Sequence, residues 1–334
     1  MERIDKSFVT TRRSFMGLTA AVAASAVSLA FASGCSASGE GSYKIGVLQL
    51  VEHGALDEAN RGFVDALKDA GIPEDAIEQQ NAQNDQSACQ TIASTFVNDG
   101  KDLIFAIGTP AAQAVAGATD EIPIVASAIT DFTASGLVES DEEPGGNVTG
   151  TSDLNPVEEQ IALIGQLIPD AKTVGILYCT AESNSAVQVE MANEACVDAG
   201  LTPAEYSVSS SNEIQQVTES MVGKVDVIYT PTDNTIAAGM NTVSMIANEA
   251  GIPTICGEEN QVAAGGLISL SIDYYQLGYQ AGEQAVAILE DEAEPATTPV
   301  AHMTADDCKL VYNQDVADEL GIDPSVLEGA EPIE

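Results

Sequence analysis

From Lys44 onward the chain alternates short, unbroken apolar runs with longer stretches whose apolar positions recur at helical spacing. The predicted strands are Tyr43–Leu50 (YKIGVLQL), Leu103–Gly108, Ile122–Ser127, Thr173–Cys179, Val225–Thr230, Ile252–Cys256 and Gly266–Ile272. None of them alternates with period two, so both faces should be covered, as in a parallel sheet sandwiched by helices. Predicted helices include Leu56–Ala70, Val157–Leu167, Ser185–Ala199 and Tyr275–Leu289. This βαβ rhythm predicts a doubly wound α/β architecture.

The rhythm breaks once, at the loop-rich Glu139–Pro156, and a fresh series of βα units follows. Two lobes are therefore expected, the first from 44–150 and 273–298, the second from 151–272 and 299–334. Three hinge crossings would join them, at Asn147–Ser152, at SLSID (269–273) and at PVAHM (299–303). A cleft between two hinged lobes is the natural place for a small ligand.

Upstream, Arg12 and Arg13 precede an uncharged run from Ser14 to Gly34, the tripartite layout of an export signal. The run is built of Ala, Ser, Gly and Thr, which favours a cleaved leader over a permanent span. Thr11–Met16 resembles a twin-arginine motif, and Ala32-Ser33-Gly34-Cys35 resembles a lipobox. Residues 1–34 are thus expected to be a lipoprotein signal peptide, Cys35 the lipid attachment point, and 35–43 a flexible tether holding the domain off the membrane.

The full chain has 52 acidic and 11 basic residues. Losing the leader would remove Glu2 and Asp5 and four bases (Arg3, Lys6, Arg12, Arg13), leaving 50 against 7 and a net charge of −43. Such a field repels nucleic acid and anionic headgroups. The protein is expected to be a monomer. Five cysteines remain beside Cys35, at 89, 179, 196, 256 and 308, with no metal spacing. Cys179 and Cys256 read as small buried apolar groups, and no metal or cofactor is expected.

In open α/β sheets ligands sit beyond the carboxyl ends of strands, where helix N-termini offer free amides. Four junctions of that kind run Gln49–His53, Gly108–Ala111, Glu182–Ser185 and Thr230–Asn234. They nominate Glu52, His53, Thr109, Pro110, Ala111, Ser183, Asn184, Ser185, Asp233 and Asn234 as ligand-binding residues, although each hydroxyl or carboxylate could equally be an ordinary helix cap. Arg61 is the only arginine beyond the leader, and Asp57 and Asp65 stand four residues to either side. A ligand carboxylate would therefore rely on hydroxyls and helix-end amides. Glu52, Asp131, Asp233, Glu258 and Asp273 are the candidates for a ligand ammonium group. Phe132, Tyr178, Tyr229 and Tyr274 could grip an aromatic ring, with core packing an equal alternative for Tyr178 and Tyr229.

The stretches QLVEHGALDEANRGFVDALKDAG, GTPAAQAVA, PGGNVTGTSDLNPVEEQIALI, VDVIYTPTDNTI and IDYYQLGYQAGEQAVAIL resemble the substrate-binding lipoproteins of bacterial ABC importers. The resemblance runs from Lys44 to about Val300 and is to the subgroup whose characterised members bind tryptophan or phenylalanine. It implies a type I periplasmic binding protein fold, an aromatic amino acid as ligand, and a permease with its ATPase as partners. Gly54 stands where the EHPALD form has proline, and Phe132 follows Asp131 where TDP is frequent. A sugar or nucleoside receptor, or a sensor without transport, would use the same cleft. Catalysis is not expected, since there is no GxSxG and neither His53 nor His302 has a nucleophile or metal pattern around it. Replacing the anchor, Cys35→Ser, should release the protein into the medium; fractionation that still finds it in the membrane would refute the lipobox.

Overall fold

The computed structural model describes residues 43–303 and 307–333; the twin-arginine leader, Cys35 and the tether up to Ser42 lie outside the described residues. The chain first lays down β1 (Ile45–Gln49), α1 (Gly54–Asp69), β2 (Ile77–Asn81), α2 (Gln86–Asn98), β3 (Leu103–Ile107), α3 (Thr109–Ala116), β4 (Ile124–Ile129) and β5 (Val148–Ser152). It continues with α4 (Val157–Leu167), β6 (Thr173–Cys179), α5 (Ser183–Asp198), β7 (Thr202–Val208), α6 (Ile214–Met221), β8 (Val227–Thr230), α7 (Asn234–Ala238), α8 (Met240–Glu249), β9 (Thr254–Cys256), α9 (Glu259–Ala263) and β10 (Ile268–Ser271). The closing elements are α10 (Tyr274–Leu289), β11 (Ala301–His302), β12 (Lys309–Asn313), α11 (Gln314–Leu320) and β13 (Glu331–Ile333).

The described strands form two sheets, ordered β11-β5-β4-β3-β1-β2 and β13-β12-β10-β9-β8-β6-β7. In each, the first strand lies between the second and third, so the winding reverses beside β1 and beside β6. That reversal opens a crevice at the strand ends. The first sheet is parallel throughout, as the unbroken apolar runs imply, and β1, β3 and β4 are buried along their whole length. The second sheet departs from the expectation at one edge, where β12 runs antiparallel to β10.

The chain leaves the first sheet after β5, returns after β10 to place α10 on α1, and crosses again between β11 and β12. Sheet membership carries the first sheet through Ser152 and adds Ala301–His302 to it, beside the boundaries of 150 and 298 drawn from sequence. The α1–α10 contact is a direct backbone approach. A Cβ added to Gly278 would stand 1.9 Å from the Ala59 carbonyl oxygen, so only glycine lets the helices meet this closely. Phe63 stacks on Phe105 beneath α1 with ring centroids 3.7 Å apart, tying that helix to the sheet. Cys89, Cys179, Cys196 and Cys256 are buried free thiols in the cores of their lobes, as small apolar groups.

One irregularity positions the cleft. Ala128 takes a left-handed φ of 58° inside β4, and the β4–β5 register slips between Ala126 and Ile129. The bulge re-aims the end of the strand. Opposite it, Gly150 has φ 152°, and a Cβ there would lie 1.8 Å from the Ala126 oxygen. Gly150→Ala should therefore cost about 1–3 kcal/mol in urea unfolding; a loss below about 0.5 kcal/mol, typical of a neutral surface change, would show that the bulge yields freely.

Candidate functional site

The two winding reversals face one another. From the first lobe come the loop after β1, the turn after β3 and the bulged end of β4; from the second come the ends of β6, β8 and β9. Side chains join across the seam. His53 Nε2 donates to Asn234 Oδ1 at 3.2 Å, Asn84 Nδ2 donates to Thr235 Oγ1 at 2.9 Å, and Gln188 Nε2 donates to Thr130 Oγ1 at 3.2 Å. Gly54 leaves room for Asn260, whose Oδ1 would stand 2.1 Å from a Cβ at that position. The seam encloses a cavity of about 220 Å³, lined by Leu50, Asn84 and Pro110 on one side and Cys179, Glu182 and Thr235 on the other. Larger hollows of 290 Å³ beside Pro156 and Met191, and of 630 Å³ beside Leu167 and Ile322, do not gather these strand ends. The 220 Å³ cavity is therefore the candidate site.

Glu182 organises the second lobe's rim. Its Oε1 accepts from the Thr235 amide (2.8 Å) and hydroxyl (2.7 Å), and its Oε2 from the Asn234 amide (3.1 Å), Asn234 Nδ2 (2.6 Å) and Asn184 Nδ2 (3.3 Å). With Nδ2 committed to Glu182, Asn234 can only present its Oδ1 to His53. The His53 ring therefore carries its proton on Nε2 and leaves Nδ1 as an acceptor. Burial holds that ring below the usual imidazole value, against the opposing pull of Asn234, Glu182 and Asp57. Four buried polar atoms on the seam elements have no partner: His53 Nδ1, Thr109 Oγ1, Asn184 Oδ1 and Asn260 Nδ2. Buried groups left this way are costly unless something fills them.

The nominated residues divide. His53 and Asn234 meet across the seam, Pro110 lines the cavity, and Thr109 and Asn184 carry orphan atoms. Ala111 packs in the first core, Ser183 is exposed at the start of α5, and Glu52 is exposed in the loop before α1. Four of the five acids nominated for an ammonium serve helices or turns. Asp233 caps α7, accepting from the Ile236 amide (2.9 Å), the Cys179 amide (2.6 Å) and the Ser185 hydroxyl (2.7 Å), which also accounts for Ser185. Glu258 caps α9, Asp273 caps α10 and lies 3.8 Å from Lys309, and Asp131 accepts from the Ala134 amide. Tyr229 donates to Gln160 inside the second core, Tyr178 points to Glu205 on the outer face, and Phe132 is buried in the first core. Arg61 pairs with Glu58, one turn back, and lies over the Tyr275 ring instead of using Asp57.

Residues that the sequence reading passed over are Glu182, Asp153, Thr130, Gln188, Asn84 and Asn260. Glu182 stood in a quoted junction and Asp153 in GTSD, but nothing local distinguishes a cap from an acid facing a cleft. Among the described residues no Lys or Arg lines the cavity, and no cluster of three or more His, Cys, Asp or Glu side chains is placed to hold a metal. Burial raises Asp233, helped by Glu182, and burial alone dominates in lifting Glu258 to about 7 and Asp153 to about 6.

Two hinged α/β lobes that bury a small polar hollow on their seam define a cleft-closing binding protein. The sequence profile described as ABC transporter substrate binding protein matches residues 44–330, and the chain belongs to that family. It is 46% identical over 274 residues, 81% of this chain and 79% of the relative, to the tyrosine-binding protein of Clostridioides difficile (strain R20291). A crystal structure of an ABC domain from Streptococcus pneumoniae in complex with L-Trp is 42% identical, with a TM-score of 0.83 over 87% of this chain and 99% of that one. The ligand-free, open structure of a substrate-binding protein with adhesive properties from Clostridium difficile is 44% identical over 87% of this chain and 99% of that one, but its TM-score is 0.67. The fold is that of type I periplasmic binding proteins, and members of the family bind substrate outside the cytoplasm and are generally not enzymes. Among the described residues no helix is long and apolar enough to cross a membrane.

The raised carboxyls carry a sign. Glu258 titrates near 4.5 when unperturbed and about 7 when folded, so between those values the folded chain holds a proton that the unfolded chain lacks. Its contribution to stability is complete below the lower value and is lost as pH rises through the upper one. Glu258→Gln should therefore flatten the fall in Tm between about pH 5 and 8 relative to the parent protein; an unchanged slope would mean that Glu258 is ionised throughout.

Proposed function

We propose that this protein is a lipid-anchored receptor that closes on one aromatic amino acid and delivers it to an ABC permease driven by its ATPase. One observation carries the amphoteric part: the seam elements bury acceptors (His53 Nδ1, Asn184 Oδ1) and donors (Thr109 Oγ1, Asn260 Nδ2) without partners, and among the described residues no Lys or Arg lines the cavity. A zwitterion supplies both signs itself. Its carboxylate would sit on Thr109 and the free amides that open α3 and α5, where helix dipoles favour an anion. Leu50, Pro110 and Cys179 offer an apolar wall for a ring.

The aromatic class is drawn from the relatives, one named for tyrosine and one holding L-Trp. The closer match to the L-Trp complex than to the ligand-free, open structure agrees with the hydrogen bonds across the seam. Ligand would act by favouring that closed arrangement. The leader, Cys35 and the Ser/Gly-rich tether support attachment to the outer face of the membrane.

A thermal-shift series with amino acids, sugars and nucleosides tests the reading. At 100 times its dissociation constant a true ligand adds about 2.7 kcal/mol. Stabilisation by Tyr, Trp or Phe is expected; a response confined to sugars or nucleosides would overturn it.

A further inference from the structure

At one place the lobes interlock by shape. Gly54 opens α1 on the first lobe, and α9 of the second lobe packs against that helix. A Cβ built on Gly54 would stand 2.1 Å from Asn260 Oδ1, 2.4 Å from its Cγ and 2.7 Å from its Cβ. The Asn260 side chain therefore occupies the space that any other residue at 54 would fill. Gly54 is also where the sequence departs from the EHPALD form.

The overlap has no cheap escape. Rotation about χ1 could swing Oδ1 and Cγ of Asn260 aside, but its Cβ is fixed by the backbone of α9. That backbone is tied down within its own lobe. Glu258 accepts from the Asn260 amide at 2.5 Å and the Gln261 amide at 2.9 Å, Gln261 Nε2 donates to the Pro231 carbonyl at 2.9 Å, and the Glu259 amide donates to Ser271 Oγ at 3.1 Å. Carbon atoms pack at about 3.5–4.0 Å, so a methyl group at 54 forces the starts of α1 and α9 apart by about 1 Å. His53 stands next to Gly54, and a retreat of that size carries its 3.2 Å bond to Asn234 beyond hydrogen-bonding reach.

The first lobe makes no such demand for glycine. The three atoms nearest to a Cβ at 54 all belong to Asn260, and the Gly54 backbone is not left-handed. It is the first residue of a helix, behind an extended His53, a place that alanine and even proline occupy readily. Glycine at a helix start loses more conformational freedom on folding than alanine would. The requirement for it comes from the opposite lobe.

We propose that Gly54 and Asn260 form a steric latch: the missing side chain at 54 admits Asn260 across the seam and so sets how far the lobes close and how long the ligand is held. This assignment rests on the reading of the protein as a receptor that closes on its ligand, and on no particular ligand.

A double-mutant cycle on the full chain in detergent tests it, by calorimetry and surface-plasmon kinetics with tyrosine, tryptophan, phenylalanine, leucine, glucose and uridine. Gly54→Ala should leave the Tm of the ligand-free protein unchanged or higher, because alanine suits a helix better than glycine. Affinity should nevertheless fall by about tenfold to 100-fold, as overpacking of a tight contact predicts. The loss should appear as faster dissociation, with association within about threefold of the parent. Asn260→Gly alone should weaken binding by about three- to tenfold, since it leaves the notch unfilled. In the Asn260→Gly background, Gly54→Ala should change affinity by less than about threefold, because its methyl group then enters an empty space.

An equal loss from Gly54→Ala with and without Asn260 would place the effect inside the first lobe and overturn the pairing. So would an affinity that Gly54→Ala leaves unchanged, or a lowered ligand-free Tm, which would show glycine serving the fold of α1. Should Asn260→Gly fail to fold, Asn260→Ala removes Oδ1 and Cγ and keeps Cβ. It should recover part of the affinity lost in Gly54→Ala, and no recovery refutes the latch. Binding of glucose or uridine only would overturn the aromatic reading; the same cycle, run on that ligand, then decides the latch separately.

Discussion

A cleft that buries carboxylates with no Lys or Arg lining it has to neutralise them by hydrogen bonds, by protons or by what it binds. That constraint organises the seam. Glu182 meets it with five donors, and the same bonds orient Asn234, which in turn fixes the tautomer of His53 across the gap. Asp233 meets it as the cap of α7. Asp233 itself, Asp153 and Glu258 nevertheless stay above the usual carboxylate range, so hydrogen bonds alone do not finish the electrostatics of the seam.

The hinge shares that economy. The bulge at Ala128 and the close approach of Gly150 turn the end of β4 toward Thr130 and Asp153, so backbone strain sits where the crossings meet. Asn155 joins the same knot, its Oδ1 accepting from the Ile272 amide on the second crossing. The crossings between the lobes thus run through a few residues beside a polar cluster.

Much of the architecture was legible in the sequence because buried parallel strands announce themselves as unbroken apolar runs. The strands that escaped are those at or near the sheet edges: β2 reads IEQQN, β7 reads TPAEYSV, and both are largely half-buried or exposed. Junction chemistry pointed to loops that the structure gathers along the seam, and several of the acids nominated there cap their own helices or turns. Asp233, Glu258 and Asp273 satisfy their own helices, as capping predicts, whereas Asp153 lies outside any helix start and gains its setting only when Thr130 and Tyr274 arrive from distant segments. Tyr229 shows the same limit, an aromatic at a strand end that turns inward to Gln160. Polar networks assembled over more than a hundred residues leave no periodic trace.

The backbone contact between α1 and α10 also bears on how the chain comes to be folded. These helices lie some 210 positions apart, as the Tyr275–Asp65 hydrogen bond spans, so the side of α1 that meets α10 has no partner until the whole intervening lobe has been made. Long-range closure of this kind slows folding and lengthens the exposure of sticky surface. Completion of the first half-molecule is thus deferred to nearly the end of translation.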